Sequence, residues 1–269
     1  MILLLLWVLW IIGLTVGTII SSAASLRNHH FQALPIILLT LLVASLITHA
    51  ALLWHLHNSV SAFSQAWQQN ATLNTDHSLI YVAVGDSAAQ SIGASSFHKG
   101  YVQLVADKLA AETGKPVRII NIARSGAKLQ DVINEQIPKL RNLYPDLVTI
   151  DVGANDISGG TPQTIMSRDY KRITTMVKSY PVILANLPDF MWGTQQRNTA
   201  SLNFEIAQLC RQNGVQMADL HKVTKQTMWH WNEFAADGFH PSDAGYRTWA
   251  SAFTEAMPKL AITRGTKNQ

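Results

Sequence analysis

The chain has 269 residues, 48% of them hydrophobic and only 14% charged, with a formal net charge of +4. That length accommodates one sizeable domain plus something small, and the apolar content exceeds what a soluble domain needs. Lys and Arg are scattered without an aromatic-interleaved basic stripe, which argues against nucleic acid as a partner, and a single cysteine, Cys210, excludes an internal disulfide framework.

The apolar excess sits at the amino end. Residues 1–20 and 34–54 contain no Lys, Arg, Asp or Glu, and each run is about the ~20 residues a helix needs to cross a hydrocarbon core. The expectation is a transmembrane helical hairpin over residues 1–56. A cleaved signal peptide followed by one span is the competing account, weakened by the lack of a basic n-region. Between the runs lie Arg27, His29 and His30, and no Lys or Arg follows until Lys99. By the positive-inside rule the loop is cytoplasmic and the rest of the chain is extracytoplasmic.

Residues 55–75 are polar but carry no Lys or Arg, and they read as a juxtamembrane helix or a linker, the linker proper being 57–75. From 76 to 262 apolar, β-branched runs alternate with amphipathic stretches, and 263–269 form a polar tail. Strands are expected at 79–84, 117–122, 147–152, 182–185 and 215–219, and helices at 101–113, 129–143, 165–179, 200–212 and 242–257. Such alternation implies a mainly parallel sheet covered by helices on both faces, with several strand ends brought to one rim.

Four stretches concentrate chemistry near those strand ends. Gly85-Asp86-Ser87 closes the first strand, which makes Ser87 a candidate nucleophile; a helix cap is the plainer account. A serine hydroxyl needs an imidazole to take its proton, and the imidazole needs a carboxylate to fix its tautomer. Asp237-Gly238-Phe239-His240-Pro241-Ser242 supplies both from one loop, although a turn explains Gly238, Pro241 and Ser242 equally well. Asn155, in Gly153-Ala154-Asn155-Asp156, offers a carboxamide N–H for a tetrahedral oxyanion, again against a turn reading. In Arg124-Ser125-Gly126-Ala127, Gly126 lets the backbone N–H approach a ligand closely.

These stretches, in this order and across 76–262, resemble the SGNH hydrolases, the GDSL esterase/lipase superfamily. The resemblance implies a flavodoxin-like three-layer α/β/α sandwich with a five-stranded sheet. It further implies Ser87 as nucleophile, Asp237 and His240 as its partners, and an oxyanion hole from the Ser87 N–H, the Gly126 N–H and the Asn155 side chain. Gly-Asp-Ser-Leu has become Gly-Asp-Ser-Ala at Ala88, which carries no reacting group.

The implied activity is membrane-anchored serine ester hydrolysis on lipid, acyl or O-acetyl-glycan esters, without metal or organic cofactor. Acyl transfer to an envelope sugar, or a non-catalytic binding domain, are the alternatives. His29, His30, His49, His55 and His57 lack nearby carboxylates or thiolates and read as interfacial rather than metal-binding. Trp192, Trp229 and Trp231 are either pocket lining or local core.

Overall fold

A computed structural model of the protein describes residues 9–20, 33–71, 78–189, 194–226 and 231–257. The apolar amino end forms α1 (Leu9–Ile20) and α2 (Ala33–Ala71). Among the described residues only the helix from Ile36 is long and apolar enough to cross a membrane, and none of its apolar window is buried. Of the expected pair of spans, the second is thus present as one helix of sufficient length. The first expected run is described only in part, as the apolar helix Leu9–Ile20; its residues 1–8 lie outside the described residues.

At 39 residues α2 is about 58 Å long, and it continues unbroken through residues 57–71. Ser59, Phe63 and Trp67, spaced four apart on one face, are 3%, 8% and 1% exposed, so the second half of the helix packs on the globular domain. Arg118 closes its carboxyl end, donating from Nε and Nη2 to the Ala71 carbonyl at 2.9 and 2.7 Å.

The domain is built on β1 (Leu79–Gly85), β2 (Val117–Asn121), β3 (Leu147–Asp151), β4 (Val182–Ala185) and β5 (Gln216–Ala218). All neighbours pair in parallel in the order β2-β1-β3-β4-β5, which is the flavodoxin-like doubly wound order. β1, β3 and β4 are largely buried, as their apolar β-branched runs require. One face of the sheet packs on α3 (Tyr101–Thr113), α9 (Asp243–Ala256) and Trp67 of α2. The other packs on the segment 129–142, α6 (Gln163–Val177) and α7 (Thr194–Asn213).

Two short helices, α5 (Ala154–Ser158) and α8 (Leu220–Gln226), were not among the expected elements, and α5 falls where a turn was the alternative account. The helix expected at 129–143 is instead a short α4 (Leu129–Asp131), a π turn (Val132–Gln136) and a 3-10 stretch (Ile137–Asn142). Pro138 accounts for the break, because it has no N–H to donate and its ring crowds the preceding turn. The widened turn leaves Gln136 buried beneath the end of β1.

Candidate active site

β1 ends at Gly85, whose φ of 147° suits glycine; a Cβ there would sit 2.1 Å from the Asp151 carbonyl oxygen. The chain then turns sharply, with the Gln90 N–H on the Asp86 carbonyl and the Ile92 N–H on the Ser87 carbonyl. Ser87 is at the carboxyl rim of the sheet, 7% exposed. Ala88, where the family's leucine is replaced, is partly buried against the core on the α3/α9 side.

His240 and Asp237 come to Ser87 from a loop stitched by backbone hydrogen bonds. The Ala235 N–H donates to the His240 carbonyl, the Gly238 N–H to the Ala235 carbonyl and the Ser242 N–H to the Glu233 carbonyl. Ser242 then caps α9, accepting from the Ala244 and Gly245 N–H groups. The turn chemistry and the imidazole thus belong to one device, the turn serving to present His240. His240 Nε2 lies 3.0 Å from Ser87 Oγ, and His240 Nδ1 lies 2.6 Å from Asp237 Oδ2. Asp237 Oδ1 also accepts the Phe239 and His240 N–H groups at 3.0 Å each.

Burial alone would raise the Asp237 carboxyl, but its hydrogen bond to His240, the imidazole's charge and the two N–H groups hold it below its ordinary value. A carboxylate only accepts. Nδ1 is therefore the protonated nitrogen and Nε2 presents its lone pair to the Ser87 hydroxyl.

Gly126 has φ 78° and stands in a loop pinned by the Gln90 side chain. Gln90 Oε1 accepts from the Ser125 N–H at 2.9 Å and the Ser125 hydroxyl at 2.6 Å, while its Nε2 donates to the Ala123 carbonyl at 3.0 Å. Asn155 lies in the first turn of α5 and donates from Nδ2 to Asp86 Oδ2 at 3.2 Å and to the Ala127 carbonyl at 3.1 Å. Asp86 precedes Ser87 and Ala127 follows Gly126, so one amide ties the serine turn to the glycine loop. All five site residues expected from the sequence, Ser87, Gly126, Asn155, Asp237 and His240, belong to this one cluster of rim segments.

Three residues beneath the site were not expected. Gln136 and Gln90 carry no motif, and their roles arise from contacts made across the fold. Asp151, at the end of β3, is buried beside Asp86 and accepts the Trp249 indole N–H at 2.8 Å. Burial pushes the Asp151 carboxyl up to about 6, against the pull of that indole bond. Asp86 stands well above its ordinary value, through burial first and the Asp151 charge second.

Among the described residues there is no group of three or more His, Cys, Asp and Glu arranged to hold a metal. His29, His30, Trp192 and Trp229 lie outside the described residues. Of Trp231 only the backbone turn is described.

Residues 83–248 match the GDSL-like Lipase/Acylhydrolase family. A search of curated protein sequences finds no match. Solved structures of similar fold include a lipase from a goat rumen metagenome, at 22% identity and TM-score 0.58, covering 67% of this chain and 98% of that one. An α/β hydrolase enzyme from the metagenome of Lake Arreo aligns at 20% identity and TM-score 0.57, over 68% of this chain and 96% of that one. A variant of an acetyl xylan esterase from Geobacillus stearothermophilus aligns at 22% identity and TM-score 0.53, over 68% and 94%.

Proposed function

The chain belongs to the GDSL-like lipase/acylhydrolase family, and on that footing we propose that it is a membrane-anchored serine esterase working through an acyl-enzyme on Ser87. The observation that carries this reading is the unbroken hydrogen-bonded line from Ser87 through His240 to Asp237. His240 Nε2 takes the Ser87 proton as Oγ attacks the ester carbonyl, and Asp237 stabilises the imidazolium that forms. The oxyanion is received by the Ser87 and Gly126 N–H groups and the Asn155 amide. Collapse breaks the bond to the alcohol oxygen, which leaves with the proton from His240. Water, deprotonated by the same imidazole, then releases the acid and restores the serine.

The apolar first half of α2 would supply the anchor, and the single arginine in the loop before it supports an extracytoplasmic side for the catalytic domain. The test of the mechanism is covalent labelling by a fluorophosphonate alongside turnover of p-nitrophenyl acetate. Ser87→Ala abolishes the label and lowers turnover by roughly 10⁴ or more. Undiminished labelling at another serine overturns the assignment.

A further inference from the structure

The path of α2 fixes which way the active site faces. Its last residue, Ala71, meets Arg118 near the start of β2. Four residues earlier, the Trp67 indole N–H donates to the Gln90 carbonyl, just past the end of β1. Earlier still, Ser61 and Ser64 face Gln90, Arg124 and Ser125 across a polar recess of about 400 Å³. In chain order the helix thus leaves its apolar half, passes the carboxyl rim that bears Ser87 and ends at the amino edge of the sheet, antiparallel to the strands. From Ser61, at the level of the glycine loop, to Trp54, the last residue of the apolar run 34–54, it rises only about 10 Å. With α2 as the proposed anchor, the rim would face the membrane at roughly the depth of a headgroup layer.

At that level a larger cleft, about 700 Å³, opens between α2 and the loops of the rim. Leu52 and Leu56 form one wall, and Phe234, Ala235 and Ala236, which lead directly into Asp237, form the other. The lining is mainly apolar, and it is continuous with the exposed apolar face of α2, where Ile47 and Leu52 are 64% and 50% exposed. Arg247, exposed on the second turn of α9, also lines the cleft. It has no hydrogen-bond or ion-pair partner among the described residues. Asp243 also lines the cleft, but its carboxylate is taken up by Lys99 and by the Ser95 N–H and hydroxyl, so an apolar slot continuous with the hydrocarbon and provided with an unpaired guanidinium suits a phosphate-bearing amphiphile rather than a free sugar.

We propose that this cleft seats an acyl chain of an anionic glycerolipid drawn directly from the leaflet around α2, with its phosphate held by Arg247, and delivers its ester to Ser87. The proposal rests on the serine-esterase reading and narrows it to one substrate class. The reaction is hydrolysis: the acyl carbon–oxygen bond of the lipid breaks, the acyl group passes through Ser87 to water, and a fatty acid and a lysolipid leave.

The experiment uses the full chain in vesicles of phosphatidylcholine doped with phosphatidylglycerol. Fatty-acid release from phosphatidylglycerol and turnover of soluble p-nitrophenyl acetate are measured on the same preparation. The parent protein releases fatty acid from phosphatidylglycerol faster than from phosphatidylcholine. In Arg247→Glu and in Leu56→Gln the ratio of phosphatidylglycerol to p-nitrophenyl acetate turnover falls about tenfold, the size of one lost charge-assisted hydrogen bond or apolar contact. Turnover of the soluble ester without attack on either lipid overturns the lipid seat and leaves the esterase reading standing. Absence of both activities overturns both. Equal rates on the two lipids, or variants that lower lipid and soluble-ester turnover in step, also overturn the seat.

Discussion

Gln136 clasps Gly85 from both sides: its Oε1 accepts the Gly85 N–H at 2.8 Å and its Nε2 donates to the Gly85 carbonyl at 2.9 Å. The pair sits one step before the Asp86-Ser87 turn and is buried, so neither backbone group has water to fall back on. Gln136→Met leaves a buried N–H without its acceptor and costs about 1–3 kcal/mol of stability. It also loosens the turn that aims Ser87, so kcat on a soluble ester drops while KM stays nearly constant. Thermal unfolding and steady-state kinetics check both, and an unchanged Tm refutes the clasp.

Asn155 enters the reaction already committed. Its Nδ2 is shared between Asp86 and Ala127, and under the proposed mechanism one N–H would have to turn toward the oxyanion as charge develops. The Asp86 bond is the one expected to yield, because burial favours the neutral form of that carboxyl, which accepts less strongly than a carboxylate. Asn155→Ala then lowers kcat by about 10²–10³ with little effect on KM. A change confined to KM assigns the amide to substrate binding instead.

The Asp86–Asp151 pair makes stability depend on pH in the sense opposite to an ordinary ion pair. Both carboxyls are raised by burial, whereas in the unfolded chain they titrate near ~3.9. Between its unfolded and folded values each carboxyl holds more protons in the folded state, so the Asp151 contribution is complete below about pH 4 and is lost as pH rises through about 6, and Asp86 acts in the same direction. Asp237, whose carboxyl is lowered, works the other way: its contribution is present above the ordinary carboxylate range and is lost only in stronger acid. Asp151→Asn keeps an oxygen for the Trp249 indole and removes one of the competing charges. The expected result is a smaller decline of Tm from pH 5 to 8 than in the parent, measured by calorimetry; superimposable profiles rule out the pair as the source.

What the sequence displays is local chemistry. Leu79 to Gly85 reads as a strand because apolar β-branched residues stop at a glycine, and Ser87, Asn155 and His240 stand out because their neighbours are turn residues that place them at a rim. The residues that hold these three in position are invisible to that method. Gln136 stands in a segment with a regular helical pattern, and only Pro138 two residues on hints that the turn is widened. Gln90 looks like any polar helix residue until the fold brings Ser125 to it across 35 positions. Residues 57–71 show no long apolar period because the buried face of α2 alternates Ser59 with Phe63 and Trp67. Periodicity finds apolar stripes, and this face is sealed partly by a serine hydroxyl bonded to its own helix at Leu56.

The side of the membrane rests on the charge of one loop, and it is open to direct test. With Cys210 replaced by Ala, a cysteine at Tyr144, 84% exposed on the domain surface, reacts in intact cells with a membrane-impermeant thiol reagent. A cysteine at Ser25 reacts only after lysis. The reverse pattern puts the domain in the cytoplasm.

Trp67 makes the second half of α2 part of the globular domain. Its ring is buried edge-on against Phe97 at 5.0 Å, and its indole N–H donates at 3.3 Å to the carbonyl of Gln90. The Gln90 side chain in turn grips the loop that carries Gly126. Trp67→Ala therefore removes a large buried ring, at about 3–5 kcal/mol, and releases a contact that steadies an oxyanion donor. Trp67→Phe keeps much of the ring and forfeits only the hydrogen bond, about 0.5–1.5 kcal/mol. A domain begun at Asp76 lacks the ring altogether, and one begun at Asn58 retains it together with the Arg118 cap on Ala71. The longer domain should unfold at higher urea and show the higher kcat on p-nitrophenyl acetate. Equal midpoints and equal kcat for the two would show that α2 only tethers the domain and takes no part in holding its site.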